Sequence, residues 1–294
     1  MSNVFNYMFD NMTRVGDDKA TIKSGKSRFV LASLPGSDFP YDKEDVDYCY
    51  EVSAHNLDNL INQTSFSMAV QDARHFLNGM FFEVGAEKIT VVATDGHRLS
   101  MSACNQTNSL NEPVDCIIPR KCITEIKRIL SDFKDSKEKL VNFNIKSNHF
   151  YFSVDDYFVK SKLIEGNYPD YNKVFPESLP HKLDVDKKEL KSALQRMSIL
   201  SNEQFKGVKL SLSSSETKLS TNNPSQEEGE DSISCIYSGE NLDIGFNLTY
   251  LIEVIDVISS ENIVLQLNNS DSGCLISSND NNALNKYIIM PMRV

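Results

Sequence analysis

The chain has 294 residues, 40% of them hydrophobic and 24% charged, with a formal net charge of −11 at pH 7. This is the composition of a soluble globular protein of about two domains. The charge argues against attraction to nucleic acid through the field of the whole molecule, although a local basic face stays open. No stretch approaches the ~18 apolar residues of a membrane span, so no membrane partner is expected.

In chain order, the opening MSNVFNYMFDNMTRV has no basic region leading into an apolar core. It does not read as a secretory signal, and a cytoplasmic location is expected. The six cysteines (Cys49, Cys104, Cys116, Cys122, Cys235, Cys274) are scattered, with no Cys-x-x-Cys pair and no histidine at zinc-finger spacing. Reduced, mostly buried thiols are expected, with no metal and no cofactor.

A short strand at Tyr50 to Ser53 leads into a helix over Leu57 to Met68. Next comes Ile89 to Met101, ITVVATDGHRLSM, an alternating run broken by Asp95-Gly96. That pattern predicts a hairpin with a two-residue turn, with Asp95, Gly96, His97 and Arg98 at or beside its tip and Thr94 and Leu99 within a few residues. The tip suits a peptide-docking pocket, but the local pattern alone favours an ordinary hairpin with a polar tip. A second helix is predicted over Arg120 to Phe133, with Ile123, Ile126, Ile129, Leu130 and Phe133 as its buried stripe. Arg120, Lys121, Lys127, Arg128 and Lys134 fall mainly off that stripe.

The same order then returns. A strand at Lys182 to Val185 precedes a helix over Lys187 to Leu200. Its stripe is Leu190, Ala193, Leu194 and Met197, with Lys187, Lys188, Lys191 and Arg196 around it. A last helix spans Leu248 to Ser259 and carries Glu253 and Asp256 but no base. Gly79 matches Gly207, Thr94 matches Thr221, and Ile123, Ile126 and Ile129 match Leu251, Val254 and Val257, all at nearly one offset. A common offset reads as duplication. Phe29 to Leu34 followed by Phe39-Pro40 matches Phe158 to Leu163 followed by Tyr168-Pro169, which reads as the tail of a third copy. The expected division is 1–48, 49–171 and 172–294. Pro119 and Asn247 sit just before the second helices, as helix-start residues should. The fold class is α+β, with two helices per repeat packed on antiparallel sheets. Helices lean basic, while the acidic run Glu227 to Asp231 is expected in a connection between strands.

Five motifs in order, ATDGHRLS at 93–100, GNYPDYNKVFP at 166–176, SNEQFKGVKL at 201–210, NNPSQEE at 222–228 and the terminal MPMRV, resemble the bacterial β sliding clamp family. This family supplies the processivity subunit of the replicative DNA polymerase III. The resemblance covers about residue 18 onward. It implies tandem DNA-clamp domains and non-catalytic tethering of replication proteins to double-stranded DNA. In the family, two three-domain subunits form a ring with helices lining the hole. Here the first domain is expected to be only a remnant, so a monomer or weak self-association is expected. The second function the sequence permits is a non-encircling, peptide-binding module that sequesters clamp partners.

The resemblance also implies site residues. The replicative polymerase, the clamp loader and repair polymerases bind a groove through short linear motifs. On one side its matching positions are Leu77, Thr94, Gly96, His97, Arg98, Leu99, Pro169, Lys173 and Val174. On the other they are Phe205, Asn247, Tyr250, Ser272, Cys274, Ile288, Met290, Pro291, Met292 and Arg293. DNA-facing positions are Gln71, Arg74, Arg120 and Lys121. Subunit-interface positions are Phe29 and Leu31, facing Ile199 and Leu200 of a neighbour. An enzyme is not expected: Asp95, His97 and Arg98 have no nucleophile, phosphate loop or metal-ligand set near them in sequence.

Overall fold

The computed structural model describes residues 11–14, 18–38, 46–108, 112–134, 136–176, 178–279 and 284–293. The leader up to residue 10, the Phe39-Pro40 pair and Val294 lie outside them. The chain divides into two compact units, Met1–Val46 and Asp47–Val294.

In the first unit, Asn11–Arg14 (β1), Lys19–Ser24 (β2) and Ser27–Ala32 (β3) form an antiparallel sheet in that order. All six residues of β3 are exposed.

The second unit contains the duplication. Its first half runs Tyr50–Ser53 (β4), Ala54–Thr64 (α1), Gly79–Val84 (β5), Lys88–Thr94 (β6), Arg98–Asn105 (β7), Val114–Pro119 (β8), Arg120–Leu130 (α2), Leu140–Lys146 (β9), His149–Val154 (β10) and Tyr157–Lys162 (β11). Its second half runs His181–Asp186 (β12), Lys187–Leu200 (α3), Gly207–Leu212 (β13), Glu216–Asn222 (β14), Glu228–Ser234 (β15), Ile236–Ser238 (β16), Leu242–Asn247 (β17), Leu248–Val257 (α4), Asn262–Leu267 (β18), Cys274–Ser278 (β19) and Asn285–Ile289 (β20). The order matches apart from the inserted β16. Two four-stranded sheets, β11-β10-β9-β4 and β15-β14-β13-β17, flank one nine-stranded sheet, β16-β12-β18-β19-β20-β7-β6-β5-β8. The join is the antiparallel β20–β7 ladder, from Asn285 opposite Ser102 to Ile289 opposite Arg98.

Local chemistry sets the helix ends. Ser53 accepts from the Asn56 N–H at 3.1 Å, so α1 starts at Ala54. It stops at Thr64, short of the expected Met68, because the chain tightens into a 3-10 turn at Ser65–Ser67. A second such turn, Ser131–Phe133, ends α2 at Leu130. Asn247 caps α4 by accepting from the N–H groups of Thr249 and Tyr250. The acidic run departs from expectation. Most of it forms β15 rather than a connection, with Asp231 paired to Arg196 and Glu230 to Lys218.

Each half has its own core of helix stripe against sheets. In the first half the centre is aromatic. Phe143 is fully buried, with ring centroids 5.1 Å from Tyr50, 5.7 Å from Phe82 and 5.9 Å from Phe150. A third apolar cluster, Phe81, Val92, Leu99, Ile117 and Ile288, lies on the opposite face of the nine-stranded sheet. The segment after β11 covers it: Tyr168 stacks on Phe81 at 4.9 Å, and the Tyr171 hydroxyl donates to Glu83 at 3.2 Å. Both faces of β5 and β6 are therefore buried, which is why these strands read as continuous apolar runs. Phe143→Ala should cost about 3–5 kcal/mol. Urea unfolding followed by circular dichroism measures this, and a loss below about 1 kcal/mol would mean that the aromatic cluster is not close-packed.

Candidate binding site at the repeat junction

The β6–β7 turn and the chain leaving β20 meet at the junction. Thr94 pairs with Leu99, so the turn holds four residues rather than two. Asp95 organises it, its Oδ1 accepting from the N–H groups of His97 at 2.9 Å and Arg98 at 3.1 Å. Gly96 has φ +90°, and a Cβ there would lie 2.9 Å from the Arg74 guanidinium. The positive φ calls for glycine, whereas the guanidinium tip could swing aside. Beyond β20, the Met290 N–H donates to the His97 carbonyl at 2.8 Å, and Met292 donates to Gly245 at 2.9 Å. The C-terminal strand thus continues along the turn.

Arg98 lies at the centre. It is only 8% exposed. Its guanidinium pairs with Asp95 at 3.1 Å and with Glu253 of α4, donates to the Phe66 carbonyl at 2.6 Å, and lies 4.3 Å from the Tyr250 ring centroid. Arg98 is one of the expected groove positions, yet the donors of its guanidinium are engaged inside the molecule, tying β7 to α4. Tyr287 repeats the tie by bonding Gln63, whose amide donates to the Val257 carbonyl at 3.0 Å.

Among the expected groove residues, Leu77, Leu99, Cys274 and Ile288 are buried and form foundation rather than surface. Thr94 is buried too, its hydroxyl donating to the Arg98 carbonyl at 2.6 Å. Gly96, His97, Pro169, Lys173 and Arg293 are exposed, as are Val174, Phe205 and Met290. Asn247, Tyr250, Pro291 and Met292 are half-buried. Phe205, Met292 and Arg293 share a cleft of about 530 Å³. His97, Arg98, Tyr250, Glu253 and Arg120 line another of about 430 Å³. Ser272 is half-buried, and the Gly273 beside it passes beneath Met290, where a Cβ would meet the Met290 sulfur at 3.2 Å. Sequence reading missed Glu253 and Phe66. The one hint was a pair of carboxylates on an otherwise apolar helix.

Of the expected DNA-facing residues, Lys121 and Gln71 are exposed. Arg120 is half-buried and donates to the Met68 carbonyl at 2.9 Å. Arg74 grips Asp72 through Nε at 3.0 Å and Nη2 at 2.8 Å, which holds the Asp72 carboxyl down at about 2. Among the described residues no carboxylate is within ion-pair reach of Lys121 or Lys127. Of the expected interface residues, Phe29 and Leu31 lie exposed on β3 in the first unit. In the second, Ile199 is exposed and Leu200 half-buried at the end of α3. The described residues include no group of three or more His, Cys, Asp or Glu that could hold a metal ion. No described helix is long and apolar enough to cross a membrane.

The family model described as DNA polymerase III beta subunit, central domain, matches residues 51–170, and the one described as the C-terminal domain matches residues 172–293. The chain belongs to the β sliding clamp family. The beta sliding clamp of Pseudomonas aeruginosa is 38% identical over 282 residues, covering 96% of this chain and 76% of that protein. That of Escherichia coli K12 is 37% identical over 278 residues, covering 94% and 74%. The crystal structure of the DNA polymerase III subunit beta from P. aeruginosa matches with a TM-score of 0.90 and 36% identity, covering 99% of this chain and 80% of that one. The family is one of DNA replication processivity factors, and its tandem α+β repeat is the fold described above.

Two outcomes test the junction. Arg98→Ala leaves Asp95 and Glu253 uncompensated and should cost about 3 kcal/mol. Arg98→Lys should recover little of that loss, because an ammonium cannot reproduce the fork. Differential scanning calorimetry compares the two. Separately, the Asp72 pKa is lowered by folding. Its stabilisation is therefore present above the ordinary carboxylate range, near about 3.9, and is lost as pH falls towards about 2. Arg74→Gln should raise the Asp72 pKa towards the ordinary range by NMR, with the residue 74 backbone N–H, at 2.8 Å, keeping part of the shift.

Proposed function

We propose that this chain acts as a non-catalytic DNA polymerase processivity clamp whose repeat junction seats short linear motifs of the replicative polymerase, the clamp loader and repair polymerases. The single observation that carries the reading is the Met290–His97 backbone bond, which sets the C-terminal strand beside the β6–β7 turn. Val174 (37% exposed) and Met290 (41% exposed) give this surface apolar contacts above a rigid base of Leu99 and Ile288. An unbranched methionine lets such a surface accept varied anchors. His97, Lys173 and Arg293 would supply the polar contacts, in place of Arg98. On this reading the domains are 1–48, 49–171 and 172–294. Double-stranded DNA would be met without base readout by the α2 face, where Lys121 and Lys127 can reach phosphates directly or through water. Asp95 and Arg98 hold each other and the turn, so we assign them no catalytic role.

A fluorescent peptide of the form Gln-x-x-Leu-x-Phe should bind, and truncation after Ile289 should abolish binding in fluorescence anisotropy. Unchanged affinity after truncation would refute the groove. Lys121→Glu with Lys127→Glu should weaken DNA association and lower its logarithmic salt slope by about 1 per lost contact, with peptide affinity unchanged. If neither DNA affinity nor its salt slope moves, the α2 face is only a solvated surface.

A further inference from the structure

Strand β11 is the open edge of its four-stranded sheet: among the described residues it pairs with β10 and with no other strand. Open edges are templates for another strand. By position in the repeat β11 corresponds to β20, which has β19 on one side and takes β7 on the other. Backbone direction decides which residues of β11 can bond outward. Leu163, just past the strand, donates its N–H to the Asn148 carbonyl on the β10 side at 3.0 Å. Ile164 donates the other way, to Ile117 of β8 at 2.9 Å. Alternation along an antiparallel ladder therefore turns the N–H and C=O groups of Phe158, Lys160 and Lys162 towards the open edge.

We propose that β11 pairs antiparallel with β11 of a second copy of this chain, on a twofold axis through Val159. A strand paired with itself must set outward-bonding residues opposite one another, which leaves Phe158, Val159 or Lys160 as the centre. Centring on Lys160 opposes two ammonium groups directly. Centring on Phe158 sets Lys160 against Asp156, outside the strand, and keeps a single hydrogen-bonded pair within it. Centring on Val159 sets Phe158 opposite the second copy's Lys160 and Lys160 opposite its Phe158, and each pair exchanges both N–H···O bonds. Val159 then faces its own copy, Tyr157 faces Ser161, and Asp156 faces Lys162 just past the strand end.

The side chains suit this register. Tyr157 and Phe158 are 39% and 44% exposed, an apolar area that the second copy covers. Lys160 lies over the Tyr151 ring at 5.7 Å, and Phe158 is on the same face, its ring centroid 6.4 Å from that of Tyr151. The second copy's Phe158 thus meets an ammonium group already placed among aromatic rings. Val159 is half-buried against the first-half core, and its own copy extends that cover. Of the two carboxylates in the β10–β11 turn, Asp155 is taken by Lys139, which leaves Asp156 for the second copy's Lys162. The described partner of Lys162 is Glu165 at 3.5 Å, with both side chains largely exposed. An isologous ladder uses the same edge on both copies, so assembly stops at a dimer.

Sedimentation velocity on the full chain, from about one to a hundred micromolar, should show monomer and dimer in exchange. Lys160→Pro removes an outward N–H while sparing the β10 ladder, and should weaken the dimer about tenfold or more. Lys162→Glu should weaken it about threefold, and Lys162→Glu combined with Asp156→Lys should restore it. Val159→Cys should link two copies under mild oxidation, because a non-hydrogen-bonded pair brings Cα atoms to about 4.5 Å. Peptide mapping should place that bond at position 159 of both copies. Circular dichroism should be unchanged in every variant, which separates misfolding from lost pairing. A wild type that stays monomeric throughout would overturn the proposal. So would species larger than a dimer, a charge swap that fails to restore association, or a dimer lost on Glu228→Lys in β15 and untouched by Lys160→Pro.

Discussion

The β20–β7 ladder is the constraint on which the rest of the second unit depends. Strand pairing alone fixes a register along one direction and leaves two half-sheets free to twist about the shared edge. Arg98 removes that freedom. It leaves β7 at the end of the ladder, and its guanidinium reaches Glu253 of α4 and the Phe66 carbonyl beyond α1. Carboxylate, carbonyl and aromatic face each take a different part of one planar cation, which a lysine could not reproduce. Gln63, held between Tyr287 and the Val257 carbonyl, ties the α1 and α4 ends at a second point.

This arrangement explains why the candidate groove has a rigid floor and an adaptable rim. Leu99 and Ile288 face each other across the ladder, closed from below by Phe81 and Val92. They cannot move without breaking the sheet. Above them stand residues held only by their backbones: His97 in the Asp95-organised turn, and Met290 bonded to it. A binding surface of this kind keeps its position through the ladder and gains tolerance from its side chains. Arg98, enclosed beneath this rim, holds the turn in place.

Local periodicity was enough to read most of the fold. The stripe of Leu190, Ala193, Leu194 and Met197 marked α3 to its observed ends, since Asp186 gives a side-chain cap where the periodicity begins. The duplication was legible because equivalent residues meet equivalent cores. Helix ends that run into 3-10 turns were not legible, because Ser65–Ser67 and Ser131–Phe133 carry no Gly or Pro as a stop signal. The acidic run was misplaced for a related reason. Glu228 to Ser234 has poor strand propensity, yet it alternates exposed and buried against β14, and Arg196 and Lys218 neutralise Asp231 and Glu230. For the site, the family motifs located the turn and the C-terminal strand. They could not reveal that Arg98 is enclosed by Glu253, 155 residues away, because a long-range ion pair leaves no local pattern.

The same pairings decide which surface stays positive on a chain of net charge −11. α2 and α4 occupy equivalent places in the two halves, yet α2 carries four bases and one acid while α4 carries two acids and no base. Both acids on α4 are taken by cations from other elements, Glu253 by Arg98 and Asp256 by Lys191 at 2.7 Å. On α3, Arg196 is taken by Asp231 and Lys187 by the Ile258 carbonyl. The ion pairs of α3 and α4 thus hold both acids of α4, one of them with a cation from across the repeat junction. On α2 the pair Arg128–Glu125 uses the helix's one acid and leaves Lys121 and Lys127 outside any described ion pair. Because screening confines such charges to about 8–10 Å at physiological salt, local pairing rather than the net charge determines what a polyanion meets at each helix face.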